Sequence, residues 1–391
     1  MKHWLLAALL LLGIAGCATG PVDQNSRVAP PATAMSAATH LVVTIDLGTP
    51  ERDTAIANDL ARRYEAELVA QWPLATLDAR CLVLRVPPQR LETVLESLTQ
   101  ERRVTRVQKV VEHSVMTRPN RRSMAALQTN LADMNAAAAH RHATGRGVRI
   151  AVIDTGLDAE HPDLAGRIET VRNFVDDRTD GRQERHGTAI AGLISASGGL
   201  RGIAFDAQLV SLRGCWQEIA GSRGACNTLS LARAINFAAA NSVDIINMSI
   251  AGPEDPLLAD LIDAAVERGS IVIAAAGPPE TDAFPASHDR VIAARSPGDH
   301  RDERGIPAPA RDVLSTAPGG NYDFFSGSSV ASAQVAGVAA LLREAKPEAT
   351  VDEIRAVLAA ASQPRSARQS GNAVAVLDAC QAVSLALKQP C

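Results

Sequence analysis

The feature that most constrains the fold is a polar turn, residues 325–329 (Phe-Ser-Gly-Ser-Ser), that opens directly into a long apolar run ending at Leu342. A run of this length and composition predicts a largely buried helix with Ser329 near its N-terminus. Free backbone N–H groups and the positive end of the helix dipole lie there. These surroundings suit a nucleophilic serine, because an oxyanion can form beside them. The alternative is an ordinary helix N-cap, a position that serine also favours.

Two other stretches favour the nucleophile over the cap. Residues 148–153 are nearly all apolar and end in Asp154 and a glycine turn, as expected of a buried parallel strand. His186 opens a second apolar run rich in small residues. A serine needs a base to take its proton, and a histidine needs a carboxylate to fix its tautomer. The chain supplies these three groups in the order Asp, His, Ser, each at the edge of a predicted regular element.

The surroundings of these three residues resemble the motifs of the subtilisin-like serine proteases, or subtilases. That family has its Asp in a DTG or DSG turn, its His in HGT and its Ser in GTSMA. Here residues 154–156 read Asp-Thr-Gly, residues 186–188 read His-Gly-Thr, and residues 327–331 read Gly-Ser-Ser-Val-Ala. The resemblance covers roughly residues 127 to 384. It implies a serine endopeptidase in which Ser329 attacks the peptide carbonyl, His186 shuttles the proton and Asp154 orients His186.

Alternating strands and helices in this part of the chain predict an α/β fold with a doubly wound parallel sheet. Such sheets hold their sites outside the carboxyl ends of the strands, where the sequence also puts Asp154. The predicted helices are residues 127–139, 229–241 and 257–268, and the predicted strands after His186 are residues 208–212, 243–249 and 270–276.

The resemblance also implies the walls of a substrate cleft. Ser249, Ile250 and Ala251 correspond to the wall on which a substrate peptide pairs as an added strand. Ala276 and Gly277 belong to the facing wall of the specificity pocket. The alternative for these segments is plain core packing.

One position departs from the family. An asparagine normally follows the residue equivalent to Gly277 and donates its side-chain amide to the oxyanion, whereas this chain has Pro278. Proline has neither a side-chain donor nor a backbone N–H, and the loss of one such donor costs about 10²–10³ in kcat. The departure predicts reduced activity. It also keeps open an alternative function, a catalytically weak or inactive lipoprotein that acts as a binding or scaffolding module.

The N-terminus predicts export and lipid attachment. Residues 1–17 combine a basic start with a short apolar run, as in a secretory signal peptide. Residues 14–17 (Ile-Ala-Gly-Cys) resemble a bacterial lipobox, which implies lipidation of Cys17 and membrane attachment. Since Ala18 and not Asp follows, the resemblance implies a periplasm-facing outer-membrane lipoprotein. The alternative is a chance cysteine after an ordinary signal peptide. Residues 18–39 read as a flexible tether.

Residues 40–116 predict a small separate domain of the ferredoxin-like β-α-β-β-α-β type. Its position before the catalytic part resembles that of the subtilase propeptide, which assists folding and blocks the cleft; the alternative is an unrelated domain. Residues 117–126 read as an exposed linker suited to cleavage, and residues 127–391 as the peptidase domain. The predicted strands are residues 41–46, 68–72, 81–86 and 104–111, with helices at 51–66 and about 91–98.

The remaining observations concern cysteines, metals and charge. Cys215 with Cys226, and Cys380 with Cys391, bracket short segments and suit two local disulfides in an oxidising compartment, which leaves Cys81 as a buried apolar residue.

Several subtilases bind calcium through the residue equivalent to Asp163. The loop 196–201 offers too few oxygens for such a shell, so we expect no metal and no cofactor. A net charge of −4 argues against a nucleic-acid partner.

Overall fold

The computed structural model describes residues 36, 38–115, 118–119, 128–176, 179–217, 224–277, 283–298, 305–362 and 375–391. Three predictions lie outside the described residues: the signal sequence with Cys17, Pro278, and most of the linker 117–126. Nearly all of the predicted tether lies outside them too.

The N-terminal domain has the predicted β-α-β-β-α-β order. Its four strands form one antiparallel sheet in the order β2-β3-β1-β4, the ferredoxin-like arrangement. The elements are β1 (His40–Asp46), α1 (Pro50–Arg63), β2 (Glu67–Leu74), β3 (Ala79–Arg85), α2 (Leu91–Thr99) and β4 (Arg106–Lys109).

The sheet of this domain is covered on both faces. Leu41, Val43 and Ile45 of β1 pack with the apolar side chains of α1 and α2. The alternate residue Val42 packs in a cluster with residues of two helices of the large domain. Because successive side chains of a strand point to opposite faces of the sheet, β1 contributes side chains to both apolar clusters. Cys81 of β3 lies on the face toward the large domain, buried and unpaired as predicted.

The large domain is built on a parallel sheet of seven strands, which confirms the predicted fold class. All of its neighbouring strands pair in parallel, in the order β16-β15-β14-β12-β7-β9-β8. Its strands are β7 (Arg149–Asp154), β8 (Ile168–Asn173), β9 (Gln208–Arg213), β12 (Ile245–Met248), β14 (Ile271–Ala275), β15 (Ile292–Arg295) and β16 (Ile306–Pro307).

Helices cover both faces of this sheet. Ile150 and Val152 of β7 pack into a cluster with α5 and α8, whereas Ala151 and Ile153 pack with α6 and α7 on the other face. Every residue of α8 from Ser329 to Leu342 is buried, as its apolar sequence predicts. The helices are α3 (Asn130–Asp133), α4 (Ala136–Ala139), α5 (Arg185–Ser195), α6 (Thr228–Ala240), α7 (Pro256–Glu267), α8 (Ser328–Ala345), α9 (Val351–Ala360) and α10 (Ala379–Leu387).

One predicted helix is wrong. Residues 127–139 do not form a single helix, because the described part of this segment contains two short helices, α3 and α4. Asn135 between them has φ 51°, a left-handed conformation that asparagine tolerates and that interrupts a helix.

Seven shorter strands form two smaller sheets. They are β5 (Glu112–Val115), β6 (Arg118–Pro119), β10 (Cys215–Trp216), β11 (Ala225–Asn227), β13 (Ile250–Ala251), β17 (Val313–Ala317) and β18 (Asn321–Ser326). Both predicted disulfides form: Cys215 pairs with Cys226, and Cys380 pairs with Cys391. Among the described helices, none has the length and apolar character needed to cross a membrane.

Candidate active site

Asp154 is the last residue of β7 and is fully buried. Its Oδ1 accepts hydrogen bonds from the backbone N–H of Thr155 and from His186 Nδ1, each at 2.6 Å. The carboxyl end of a central parallel strand therefore holds the carboxylate against the imidazole, as expected for sites in open α/β sheets.

His186 is the second residue of α5 and is only 1% exposed. Its neighbour Gly187 donates its backbone N–H to Thr155 Oγ1 at 2.9 Å. A Cβ atom at Gly187 would lie 2.5 Å from the carbonyl oxygens of Thr155 and Gly156, so only glycine allows this approach. The His-Gly-Thr motif thus brings the start of α5 against the turn that follows Asp154.

Ser329 is the second residue of α8 and is fully buried. The residue before the helix, Gly327, has φ 140°, a conformation that side chains rarely adopt. The Ser329 carbonyl accepts from Ser332 Oγ at 2.9 Å, and Ser332 Oγ lies 2.9 Å from Ser249 Oγ. Asn247 Nδ2 donates to Ser249 Oγ at 2.9 Å. These contacts attach the first turn of α8 to the segment that leads from β12 into β13.

The second nitrogen of the imidazole forms no hydrogen bond with the described part of the chain. Across the described residues, His186 Nε2 and Asp154 Oδ2 are buried without a hydrogen-bond partner. An imidazole whose Nδ1 is bound to a carboxylate has its Nε2 available to take up a proton. This is the arrangement that a general base requires.

The predicted cleft wall is occupied by the chain itself. Strand β5 pairs antiparallel with β13, with Val115 opposite Ile250 and Ser114 opposite Ala251. The other edge of β5 pairs antiparallel with β11. Further along the chain, β6 pairs with β18, which ends two residues before α8 begins. The chain between β4 and α3 thus adds one strand to β13 and another to β18, which leads into the turn before Ser329.

Ala276 and Gly277, which the sequence analysis assigns to the facing wall of the specificity pocket, come directly after β14. Ala276, directly after β14, is buried and donates its backbone N–H to Ala294 O at 2.8 Å. Gly277 is half-buried and is the last described residue before the segment that contains Pro278. Gly252 and Phe284 exchange two backbone hydrogen bonds of 2.8 and 3.0 Å. The segment around Phe284 is therefore joined to the end of β13.

Sequence reasoning did not find three polar residues next to Asp154 and His186. Gln217 Oε1 accepts from the backbone N–H groups of Arg185 and His186, at 2.9 and 3.4 Å, and so caps α5. Glu184 accepts from the backbone N–H of Gly156, and Arg213 binds Glu184. The only sequence signals were a carboxylate two residues before the His motif and an arginine that ends an apolar strand.

Asp163, considered above as a calcium ligand, is engaged by protein donors. Its carboxylate accepts from the backbone N–H groups of Gly199 and Leu200, both at 2.7 Å, and from Tyr322 Oη at 3.1 Å. Burial, together with the nearby Asp163 charge, raises the pKa of Tyr322 above its usual value. Within the described residues, no three His, Cys, Asp or Glu side chains are grouped as metal ligands would be.

Comparison with known proteins agrees with this architecture. The sequence matches the subtilase family over residues 145–315 and 296–376. The Intracellular serine protease of Paenibacillus polymyxa is 35% identical over 273 residues, which cover 61% of this chain and 82% of that protein. Subtilisin E of Bacillus subtilis (strain 168) is 34% identical over 233 residues, 54% of this chain and 59% of the relative.

A solved structure extends the comparison to the fold of nearly the whole chain. The crystal structure of fervidolysin from Fervidobacterium pennivorans, a keratinolytic enzyme related to subtilisin, superposes with a TM-score of 0.72 at 18% identity. The match covers 95% of this chain and 62% of fervidolysin. The fold and the relatives together define a subtilisin-like serine protease. The chain belongs to the subtilase family.

Proposed function

We propose that this subtilase hydrolyses peptide bonds with Asp154, His186 and Ser329 as its catalytic triad. The observation that carries the proposal is the 2.6 Å hydrogen bond from His186 Nδ1 to Asp154 Oδ1. Ser329 Oγ attacks the peptide carbonyl, and its proton passes to His186 Nε2. Asp154 stabilises the imidazolium that forms, and His186 then protonates the leaving amine. The backbone N–H of Ser329, at the start of α8, is the proposed donor to the oxyanion.

The proposed substrate is a protein or peptide bound in extended form. Both edges of the cleft strand β5 are paired, one with β11 and one with β13. A substrate peptide in the same place would bind through the same backbone groups of Ile250 and Ala251. Substrate and β5 therefore compete for one site, and we propose that the N-terminal domain acts as an intramolecular inhibitor.

The two pairings also suggest where the chain is processed. Val115 ends β5, which pairs with β13, and Arg118 begins β6, which pairs with β18 shortly before Ser329. Only three peptide bonds connect these two residues. We propose that the middle bond, Met116–Thr117, is cut by Ser329, which separates the N-terminal domain from the peptidase domain.

The experiment that tests the triad combines active-site labelling with processing. Ser329→Ala should abolish labelling by a fluorophosphonate and should leave the full-length precursor uncut. Ser328→Ala is the matched control, because it removes the adjacent hydroxyl of the same helix start and should retain both. Equal labelling of the parent and the Ser329→Ala variant would contradict the assignment.

A second candidate function is a catalytically weak binding or scaffolding module. Two observations favour it: Pro278 stands where the family supplies an oxyanion donor, and all three triad side chains are at most 1% exposed. A parent protein that still resists the fluorophosphonate after the N-terminal domain is removed by limited proteolysis would support this alternative. Labelling of that material would favour the peptidase.

We also propose that Cys17 is lipidated and that the protein is attached to the outer membrane, facing the periplasm. The support is the lipobox-like sequence at residues 14–17 after a signal-like segment. Cys17→Ser should abolish incorporation of an alkyne-labelled fatty acid and should move the protein out of the outer-membrane fraction. A Cys17→Ser variant that still incorporates the label would rule the anchor out.

A further inference from the structure

A buried ion pair lies beside the catalytic carboxylate, and the proposed mechanism does not use it. Arg213, the last residue of β9, is the direct register partner of Asp154 in the parallel pairing of β7 and β9. In-register residues of adjacent parallel strands project to the same face of a sheet. The Arg213 side chain, only 4% exposed, therefore starts next to that of Asp154.

Glu184 binds this arginine at two points. Arg213 Nη2 donates to Glu184 Oε1 at 2.6 Å, and Arg213 Nε donates to Glu184 Oε2 at 3.1 Å. The remaining nitrogen, Nη1, reaches Asn173 Oδ1 at 3.2 Å and Asp176 Oδ2 at 3.4 Å. A two-point arginine–carboxylate contact fixes direction as well as charge, so it keeps the guanidinium on the Glu184 side.

Glu184 also contacts both elements that carry the catalytic pair. Its Oε2 accepts from the backbone N–H of Gly156, in the turn that follows Asp154. Its own backbone immediately precedes α5, two residues before His186. One buried carboxylate thus connects the end of β7, the end of β9 and the start of α5.

We propose that Glu184 and Arg213 are positioning residues that keep Asp154 directed toward His186. Glu184 does this by holding the turn after Asp154 and by satisfying a cation that would otherwise have Asp154 as a neighbouring carboxylate. A buried charge that loses its partner is strongly destabilising, so a contact with another group of opposite charge becomes favourable. An arginine bound to Asp154 would compete with the 2.6 Å contact to His186.

Other charged residues near Asp154 and His186 have partners of their own. Arg185, next to His186, forms an ion pair with Asp323 of β18. Asp158, in the loop after β7, accepts from the backbone N–H groups of Glu160 and Gly319. Neither contact involves Glu184 or Arg213, so neither is altered directly by the substitutions that follow. The described charged groups that face the site are Asp158, Asp176, Glu184, Arg185, Arg213 and Asp323.

The inference rests on the proposed peptidase function, and its test compares four variants of the full-length chain after processing. Glu184→Gln removes one charge of the pair, Arg213→Met removes the other, and the double variant removes both. Glu169→Gln is the control, since it breaks the two-point contact of Glu169 with Arg149 at the opposite end of β7. Each is assayed for kcat and KM across pH on one unstructured protein substrate, with circular dichroism to report folding.

We expect Glu184→Gln to lower kcat by about tenfold or more with little change in KM, because the lost interaction acts on the reacting pair. The acid limb of kcat/KM reports the imidazole in the free enzyme. The acid limb should move to lower pH in Glu184→Gln, which removes a negative charge from this cluster, and to higher pH in Arg213→Met, which removes its positive charge. The double variant should return to the parent limb and recover most of the lost kcat. Glu169→Gln should match the parent throughout.

The outcomes separate this inference from the function on which it rests. An inactive parent refutes the proposed function. An active parent with single variants whose acid limbs coincide with its own refutes the positioning role, as does a double variant no better than Glu184→Gln. If Glu184→Gln does not fold, Arg213→Met and the double variant decide. The double variant lacks both charges of the Glu184–Arg213 pair, so it should keep the acid limb of the parent, whereas the limb of Arg213→Met should move to higher pH.

Discussion

At the scale of single residues, the resemblance to subtilases implies that the oxyanion hole of this chain lacks one donor. Pro278 follows Gly277 at the position where subtilases have asparagine. If only the Ser329 backbone N–H serves the oxyanion, Pro278→Asn restores a donor and should raise kcat by about 10²–10³, or about 2.7–4 kcal/mol of transition-state stabilisation. KM should change little, because the oxyanion exists only in the transition state.

Pro278→Ala is the control for this prediction, since it relieves the backbone restriction of proline without adding an amide. Steady-state kinetics on a protein substrate should show the gain in Pro278→Asn alone. A parent that already turns over substrate at rates usual for subtilases, and gains nothing from asparagine, would mean that another group fills the role.

Asp163 gives a second prediction at this scale. Three protein donors bind its carboxylate, two backbone N–H groups and Tyr322 Oη. Hydrogen bonds to a charged group contribute about 1.5–3 kcal/mol each, although such contributions do not add simply. Asp163→Ala should therefore lower the free energy of unfolding by at least about 2 kcal/mol. Tyr322→Phe removes one donor only and should cost less.

Denaturant unfolding, with and without a chelator, measures both effects. The parent should unfold at the same denaturant concentration in either buffer, because protein groups take the place of a cation at Asp163. A loss of stability on adding the chelator would show instead that a metal contributes.

The contacts of single residues also show which parts of the site could not be predicted from the sequence. The proposed triad could be predicted because each member carries a local motif: Asp154 a glycine turn, His186 a small-residue helix and Ser329 a helix start. Glu184, Arg213 and Gln217 carry none. They meet only because β7, β9 and α5 converge at one edge of the sheet, so their contacts depend on the fold and not on neighbours in the chain.

At the scale of elements, apolar periodicity located most helices and strands to within a few residues. It failed where contacts with another part of the fold, or the backbone angle of one residue, determine where a helix or strand ends. The alanine-rich segment 127–139 favours helix by propensity, yet Asn135 divides it. Residues 104–111 were predicted as one strand, whereas β4 ends at Lys109 and β5 begins at Glu112 with new partners in the large domain. The local sequence contains no pattern that predicts where the chain leaves the sheet of the small domain and pairs with strands of the large domain.

Strand β5 carries a prediction of its own. Ser114 pairs with Ala251 of β13 on one side and with Ala225 of β11 on the other. Ser114→Pro removes a backbone donor from this ladder and should slow self-processing. Ser114→Ala keeps the backbone and should process like the parent. Gel analysis of precursor and product over time distinguishes the two, and equal processing of both variants would exclude the pairing as the docking contact.

At the scale of the whole molecule, the two domains share a large apolar cluster. Val42, Leu74, Cys81 and Val110 of the small domain pack with residues of α6 and α7. At its edge, Gln108 donates to Asp255 Oδ1 at 2.6 Å and accepts from the backbone N–H of Leu257 at 3.0 Å. Cutting the connection between the domains leaves these contacts in place. If the small domain inhibits the peptidase as proposed, its release from the cleft should therefore depend on its own stability.

That stability should depend on pH through His40, at the start of β1. Burial, and then the charge of Arg85, lowers the pKa of His40 below 6.5. The unfolded domain thus binds a proton at a higher pH than the folded one, and stability falls as pH decreases from about 6.5 toward the folded pKa. Glu101 acts elsewhere: its hydrogen bond from Arg103 lowers its pKa to about 2, so its contribution is lost only below its usual value of 4.5.

Mild acid should therefore speed release of the small domain after processing. Activity should appear faster at pH 5.5 than at pH 7.5, and this ratio should shrink in His40→Gln, which cannot take up the proton. Glu101→Gln is the control, because its group titrates below this range and the ratio should persist. The measurement is the lag before peptidase activity of processed, purified complex diluted into each buffer. A His40→Gln variant with the parent's full pH ratio would place the acid sensitivity at another group.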